Sequence, residues 1–172
     1  MILSIFIWIV DFSRMPLPFL PDTPDEALFP LLNGVLLGYA CLVLLPTWRH
    51  TPSVTLWIAT GYAVVYAALL AQRIFGSATE FPEAAGFDSL DAVEALFSDR
   101  AALFAGWTHY ISFDLFVARH VLLDSQSRGI PHLGVVWIIP LVLLIGPAGF
   151  AFYMILIVPL FAARAPEKLK SR

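Results

Sequence analysis

Charge is scarce in this chain: 13% of its 172 residues are Asp, Glu, Lys or Arg, and the hydrophobic fraction is 59%. A soluble domain of this length is usually about one quarter charged. Cysteine is all but missing. The single Cys41 excludes an intramolecular disulfide. No Cys/His cluster has zinc spacing, and no phosphate loop or dinucleotide fingerprint is present, so neither metal nor nucleotide cofactor is expected. The four histidines at positions 50, 109, 120 and 132 do not supply the histidine boxes of a membrane di-iron hydroxylase. A net charge of -3 argues against nucleic acid as a partner.

What is present is apolar and aromatic. Mean hydropathy is +0.81, and aromatics make up 14%. A helix needs about 20 apolar residues to cross a bilayer. Leu28–Pro46, Val54–Phe75, Ala101–Leu123 and Leu133–Phe161 meet that requirement, the third with charges inside it and the fourth broken by Pro140, "GPAG" (146–149) and Pro159. The expected fold is an all-α integral membrane protein, a four-transmembrane-helix bundle. "FDSLDAVEALF" (87–97) repeats its apolar residues at spacings of three and four. It predicts a short interfacial amphipathic helix between spans 2 and 3, capped by Ser89. The divisions are then 1–27, an N-terminal tail or interfacial segment; 28–161, the membrane domain; and 162–172, a basic C-terminal tail. Within the first, "MILSIFIWIV" lacks the basic flank and cleavage site of a signal peptide. It reads as an interfacial anchor or a fifth span that falls short, with Met15 as an alternative start.

Lys and Arg set the expected orientation. Four straight spans place Arg14, Arg100, Arg164, Lys168, Lys170 and Arg172 on one side, with Arg73 at its border, and Arg49 and Arg128 on the other. The first side, holding both termini, is expected to be cytoplasmic.

"WTHYISFDLFVARHVLLDSQSR" (107–128) is the anomaly. A charge at mid-span costs about 2.5–3.5 kcal/mol on insertion scales. Asp114 sits near the middle of the third span. On a helical wheel it lies about 140° from both His109 and Arg119, so neither is its intrahelical partner. His109, Asp114 and Arg119 are the candidate catalytic residues; for Asp114 and Arg119 a buried ion pair that sets helix register is the competing reading. Asn33, Trp107, Tyr110, Phe113 and Phe116 are the candidate substrate contacts. Asp124 and Arg128 are expected to form a structural i,i+4 contact, with His120 beside them in a structural role. Gly34 and Gly38 form a G-x-x-x-G pattern that permits close helix approach. Tyr62 and Tyr66 stack at i,i+4 in the second span; belt, core and ligand wall are the open readings, with core the expectation. Gly146, Pro147 and Gly149 are expected to break the last span, as a plain kink or as the border of a binding site.

The pattern W-x-H-x4-D-L-F-x-A-R-x4-D (Trp107, His109, Asp114 to Phe116, Ala118, Arg119, Asp124), followed by Pro147-x-Gly149 and preceded by "DSLDAVEALFS", resembles the abscisic-acid-deficient-four-like family over roughly Leu28 to Leu160. His120 is not part of that pattern. The family comprises small multi-span proteins of plastids and bacteria, and its plant member is required to make neoxanthin from violaxanthin. The absence of a transit peptide points to a bacterial member, in the inner membrane. The resemblance implies an isomerisation in which an epoxide opens and an allene forms. Such a reaction needs an acid and a base but no redox cofactor. Three functions stay open: a cofactor-free isomerase acting on a carotenoid-like lipid, a non-catalytic pigment- or lipid-binding protein associated with other membrane proteins, and a small transporter or proton path. Membrane lipid and a carotenoid-like apolar ligand are the expected partners.

Overall fold

The computed structural model describes residues 28–75 and 82–164; the regular elements are all helical, joined by short turns, with no strand among the described residues. A 3-10 stretch, Phe29–Gly34, leads into α1 (Val35–Leu44). α2 (Thr51–Phe75), α3 (Leu90–Ser98) and α4 (Arg100–Ser127) follow. A 3-10 turn, His132–Gly134, precedes α5 (Ile138–Phe152), which continues through a π turn, Tyr153–Ile157, into α6 (Val158–Arg164). The N-terminal segment 1–27 and the basic tail lie outside the described residues. Two compact units divide the chain, one drawing on residues 28–32, 62–75 and 82–109, the other on 33–61 and 110–164.

In the first unit, Ser89 caps α3 by accepting from the Ala92 N–H at 3.1 Å. Asp99 does two things: Oδ1 accepts from the Ala102 N–H at 2.8 Å at the start of α4, and Oδ2 pairs with Arg73 at 2.6 Å. Phe97 packs over Gly106, where a Cβ would lie 2.6 Å from its ring. Tyr62 donates to the Leu31 carbonyl at 2.8 Å. Phe87 and Leu90, at the entrance to α3, remain exposed.

In the second unit, Gly38 lets α1 sit directly on Leu115 of α4, since a Cβ there would come within 2.7 Å of Leu115 Cδ2. Ser112 ties α4 to the Ala59 carbonyl of α2 at 2.9 Å, and Arg119 Nε donates to the Pro52 carbonyl at 2.8 Å. α4 ends in a Schellman motif. Gly129 takes φ +68°, its N–H bonds to the Gln126 carbonyl, and the Ile130 N–H reaches back to Ser125. Leu42, Leu115, Ala118, Val121, Leu122, Val135, Ile138, Ile139 and Val142 form the core.

Two helices have the length and apolarity to cross a bilayer: Thr51–Ile74 and Ile138–Ala163. Only 11% of the first is buried, so its apolar surface faces outward, unlike the core helix of a soluble protein. α4 is long enough, at 28 residues, but its polar residues lower its mean hydropathy. The last apolar stretch departs from the expected straight, kinked span. Ile145 leaves helical geometry (φ −145°, ψ 51°), and the chain turns back on itself. A Cβ on Gly149 would lie 2.8 Å from the Val142 backbone nitrogen. In an unbroken helix residues seven apart are separated by about 10 Å. Farther down, the Trp137 and Phe152 rings are 5.1 Å apart, and Gly134 packs against Phe161. Residues 134–164 are therefore a helical hairpin with its apex at 145–146. Pro147 suits the first turn of the returning arm, where its missing N–H has no intrahelical partner to lose. Pro159 likewise withholds a bond from Ile155, which accounts for the π turn just before it.

Candidate functional site

The buried face of α4 runs Thr108, Ile111, Ser112, Leu115, Ala118, Val121, Leu122, Ser125, and Asp114 belongs to it with 6% of its surface exposed. His109, Phe113, Phe116 and His120 form the opposite, exposed stripe. The carboxylate thus points inward, where the hairpin apex meets it. Gly146 packs so closely on Asp114 that a Cβ would lie 2.7 Å from Asp114 Cγ.

Tyr110, one helical turn before Asp114, lies half-exposed beside it. Its hydroxyl donates to the Leu144 carbonyl at 3.3 Å, a group released from helical pairing by the break at Ile145. The hydroxyl therefore sits at the hairpin apex, one helical turn along α4 from the Asp114 carboxylate. This arrangement can pass a proton between the buried carboxylate and the exposed edge of the helix pair. Leu144 is 72% exposed and Ile145 50%, so the edge is open and apolar. From α1, Tyr39 completes the site. It is buried, and its neighbour Gly38 packs on Leu115, the residue next to Asp114.

The other buried hydroxyls of the second unit are satisfied within the protein. Thr51 donates to Leu45, Thr55 to Thr51, Ser112 to Ala59 and Ser125 to Leu122, at 2.6–2.9 Å. Asp114 Oδ2 and the Tyr39 hydroxyl are buried with no hydrogen-bond partner among the described residues. His132 Nδ1 is likewise unpaired in this unit; orphaned buried polar groups cost about 1–3 kcal/mol each, which makes these atoms candidates for a ligand contact. Asp114 also forms no ion pair among the described residues. Arg119 is engaged at Pro52, and Arg73 pairs with Asp99 in the first unit. The register-setting ion pair between Asp114 and an arginine is not what the structure contains.

The remaining sequence candidates fall elsewhere. His109 stacks edge-on against Tyr66 at 5.0 Å, and Trp107 faces Phe29 at 6.4 Å, both in the first unit. Tyr66 is therefore a partner of His109 and is part-exposed, not a core residue. Asn33, Phe113 and Phe116 are exposed. Asp124 accepts from Arg128 Nε at 2.6 Å and from the fully buried Tyr153 at 2.7 Å. It lies beyond the apolar run that ends at Leu123, and the Arg128 guanidinium holds its carboxyl below the usual carboxylate range. His120 meets the Phe150 ring at 5.9 Å. Among the described residues no group of three His, Cys, Asp or Glu side chains is placed to hold a metal ion.

Sequence reasoning missed Tyr39 and Tyr153. For Tyr39 a signal was present. It directly follows Gly38, so a polar aromatic sits next to a close-contact glycine.

The structure thus sets a broken-helix apex over one buried carboxylate in an otherwise apolar helical protein. The family described as ABA DEFICIENT 4-like matches residues 27–153, a range that holds Tyr39, Tyr110, Asp114 and Gly146, and this chain belongs to that family. No curated protein and no solved structure matches the chain.

Proposed function

We propose that this chain is an integral membrane protein that isomerises an oxygenated, carotenoid-like lipid, with Asp114 as the proton-transferring group. The observation that carries this reading is the orphaned oxygen of a buried carboxylate on α4, against which the apex of the broken helix packs. Non-helical backbone at that depth is tolerated in membranes where it lines a site.

The chemistry is redox-neutral. Asp114, as the acid, gives its proton to an epoxide oxygen as the C–O bond breaks. The resulting carboxylate, or Tyr110 acting for it, then takes a proton from a neighbouring carbon, and the C–H electron pair becomes the new C=C bond. One proton enters and one leaves, so substrate and product are isomers. A single carboxyl serves both steps, and His109 is not needed as the second group. Family membership supports the substrate class, since the plant member resembled in sequence is required for neoxanthin. The apolar exposed edge at Leu144 and Ile145 gives a lipid a lateral approach.

The hairpin also changes the membrane topology. Phe29–Leu44 (the 3-10 stretch with α1), α2 and α4 are the proposed spans, and residues 134–164 enter and return on one side. His132 Nε2 lies 2.9 Å from the Val43 carbonyl, and Phe161 packs on Gly134. The end of the hairpin is therefore beside the 45–50 turn. The side that holds Arg49, Arg128 and Arg164, followed by Lys168, Lys170 and Arg172, is proposed to be cytoplasmic. A bacterial inner membrane is the proposed location.

The test is pigment analysis of a carotenoid-producing host expressing the wild-type chain or Asp114→Asn. A new isomer made by the wild type alone is expected. Pigment that co-purifies unchanged with both would replace the enzyme by a carotenoid-binding protein.

A further inference from the structure

Tyr39 is a tyrosine where a phenylalanine would fill the same space. Its neighbours on the buried face of α1 are Val35, Gly38 and Leu42, and nothing there asks for a hydroxyl. Its surface is 5% exposed, and its oxygen has no hydrogen-bond partner. A buried phenol that bonds nothing is a net cost to folding, so the protein is less stable for having it. The hydroxyls of Thr51, Thr55, Thr108, Ser112 and Ser125 escape that cost by donating to backbone carbonyls. The contact of Gly38 with Leu115 brings the neighbouring residues Tyr39 and Asp114 to the same level of the α1–α4 contact.

Building on the reading of Asp114 as the proton-transferring group, we infer that Tyr39 is a second donor that holds the oxygen of the ligand on which Asp114 acts. Orphans of this type complement each other. An oxygen attached to an apolar frame, whether ether or hydroxyl, accepts from the Tyr39 O–H and meets Asp114 at its other lone pair or proton. During C–O cleavage negative charge develops on that oxygen, and a preorganised phenol stabilises it as an oxyanion-hole donor does. The inference assigns the site its selectivity: it takes oxygen-bearing polyenes and discriminates against the bare hydrocarbon, which leaves both polar groups unpaired.

The test compares full-length wild type, Tyr39→Phe and Asp114→Asn in detergent micelles, with an epoxidised carotenoid and its parent hydrocarbon as probes. Tyr39→Phe is expected to melt at the same temperature as wild type or higher. It is expected to lower kcat by about 100-fold, and to erase the preference for the oxygenated probe while hydrocarbon binding stays unchanged. A structural role predicts the reverse pattern, a lower melting temperature and equal weakening for both probes, and that result overturns the inference. A fully active Tyr39→Phe beside an inactive Asp114→Asn also overturns it, but leaves the Asp114 reading standing. A fully active Asp114→Asn removes the reading on which the inference rests, and the inference falls with it.

Discussion

Gly146 has no side chain because the carboxylate of Asp114 occupies the place where one would be; a Cβ there would lie 2.7 Å from Asp114 Cγ and 2.9 Å from Oδ2. Gly149 has the same need on the other side of the bend, where the obstacle is the Val142 backbone. Gly146→Ala is expected to push Asp114 out of position, destabilise the protein by about 1–3 kcal/mol and abolish activity. Gly149→Ala meets backbone that cannot rotate away and is expected to cost at least as much. Gly61→Ala, with nothing within 4 Å of the added methyl, is the matched control and is expected to unfold no earlier than wild type. Thermal unfolding in detergent ranks the three.

Asp114→Asn is expected to accumulate in the membrane at wild-type levels. Removing the partner of a buried cation costs about 3–5 kcal/mol, but here no cation depends on Asp114, since Arg119 is held by Pro52 and Arg73 by Asp99. The amide keeps the shape and loses the proton-transfer capacity, so activity should vanish. Immunoblotting of membranes alongside pigment profiles decides the matter; depletion of the variant would point to a structural charge.

The hairpin returns Phe161 to Gly134, beside the 45–50 turn, so the proposed topology has that turn and the C-terminus on one side. In a chain with Cys41→Ala, single cysteines at Thr47 and Ser171 are expected to react with a membrane-impermeant thiol reagent from the same face of sealed vesicles. Four straight spans predict opposite faces. Labelling of one position from outside and the other only after lysis would return the last segment to a simple crossing.

Asp124 joins Tyr153 of the returning arm to Arg128 at the end of α4. Its carboxyl, held below its ordinary value by Arg128, titrates near 3.9 in the unfolded chain. Its contribution is therefore complete above that value and lost as pH falls through the lower, folded value. Asp124→Asn is expected to be less stable than wild type by about 1 kcal/mol at neutral pH, the half-exposed Arg128 limiting the effect. The two proteins should converge below about pH 4. Unfolding measured across that range in detergent checks it; a gap that stays constant with pH would rule out a charge-based role.

Much of this protein was legible in the order of its residues. Helices announced themselves by apolar runs, Ser89 by its place before an amphipathic segment, and Asp124–Arg128 by their i,i+4 spacing. These are short-range effects, decided within a turn or two of helix by residues adjacent in the chain. Asp114 was conspicuous for the same reason, as a charge in an apolar run, and the motif around it marked the family. Its surroundings were not legible. Tyr39 reaches it from α1 and Gly146 from the hairpin, through contacts that depend on which helix faces which. Nor does "GPAG" tell how far the chain bends. Proline and glycine permit a slight kink and a full reversal alike, and the residue that actually leaves the helix is Ile145, which carries no local signal. Only packing chose the reversal: the returning arm lays Gly149 on Val142, Phe152 on Trp137 and Phe161 on Gly134, contacts between residues far apart along the segment that a straight helix cannot make.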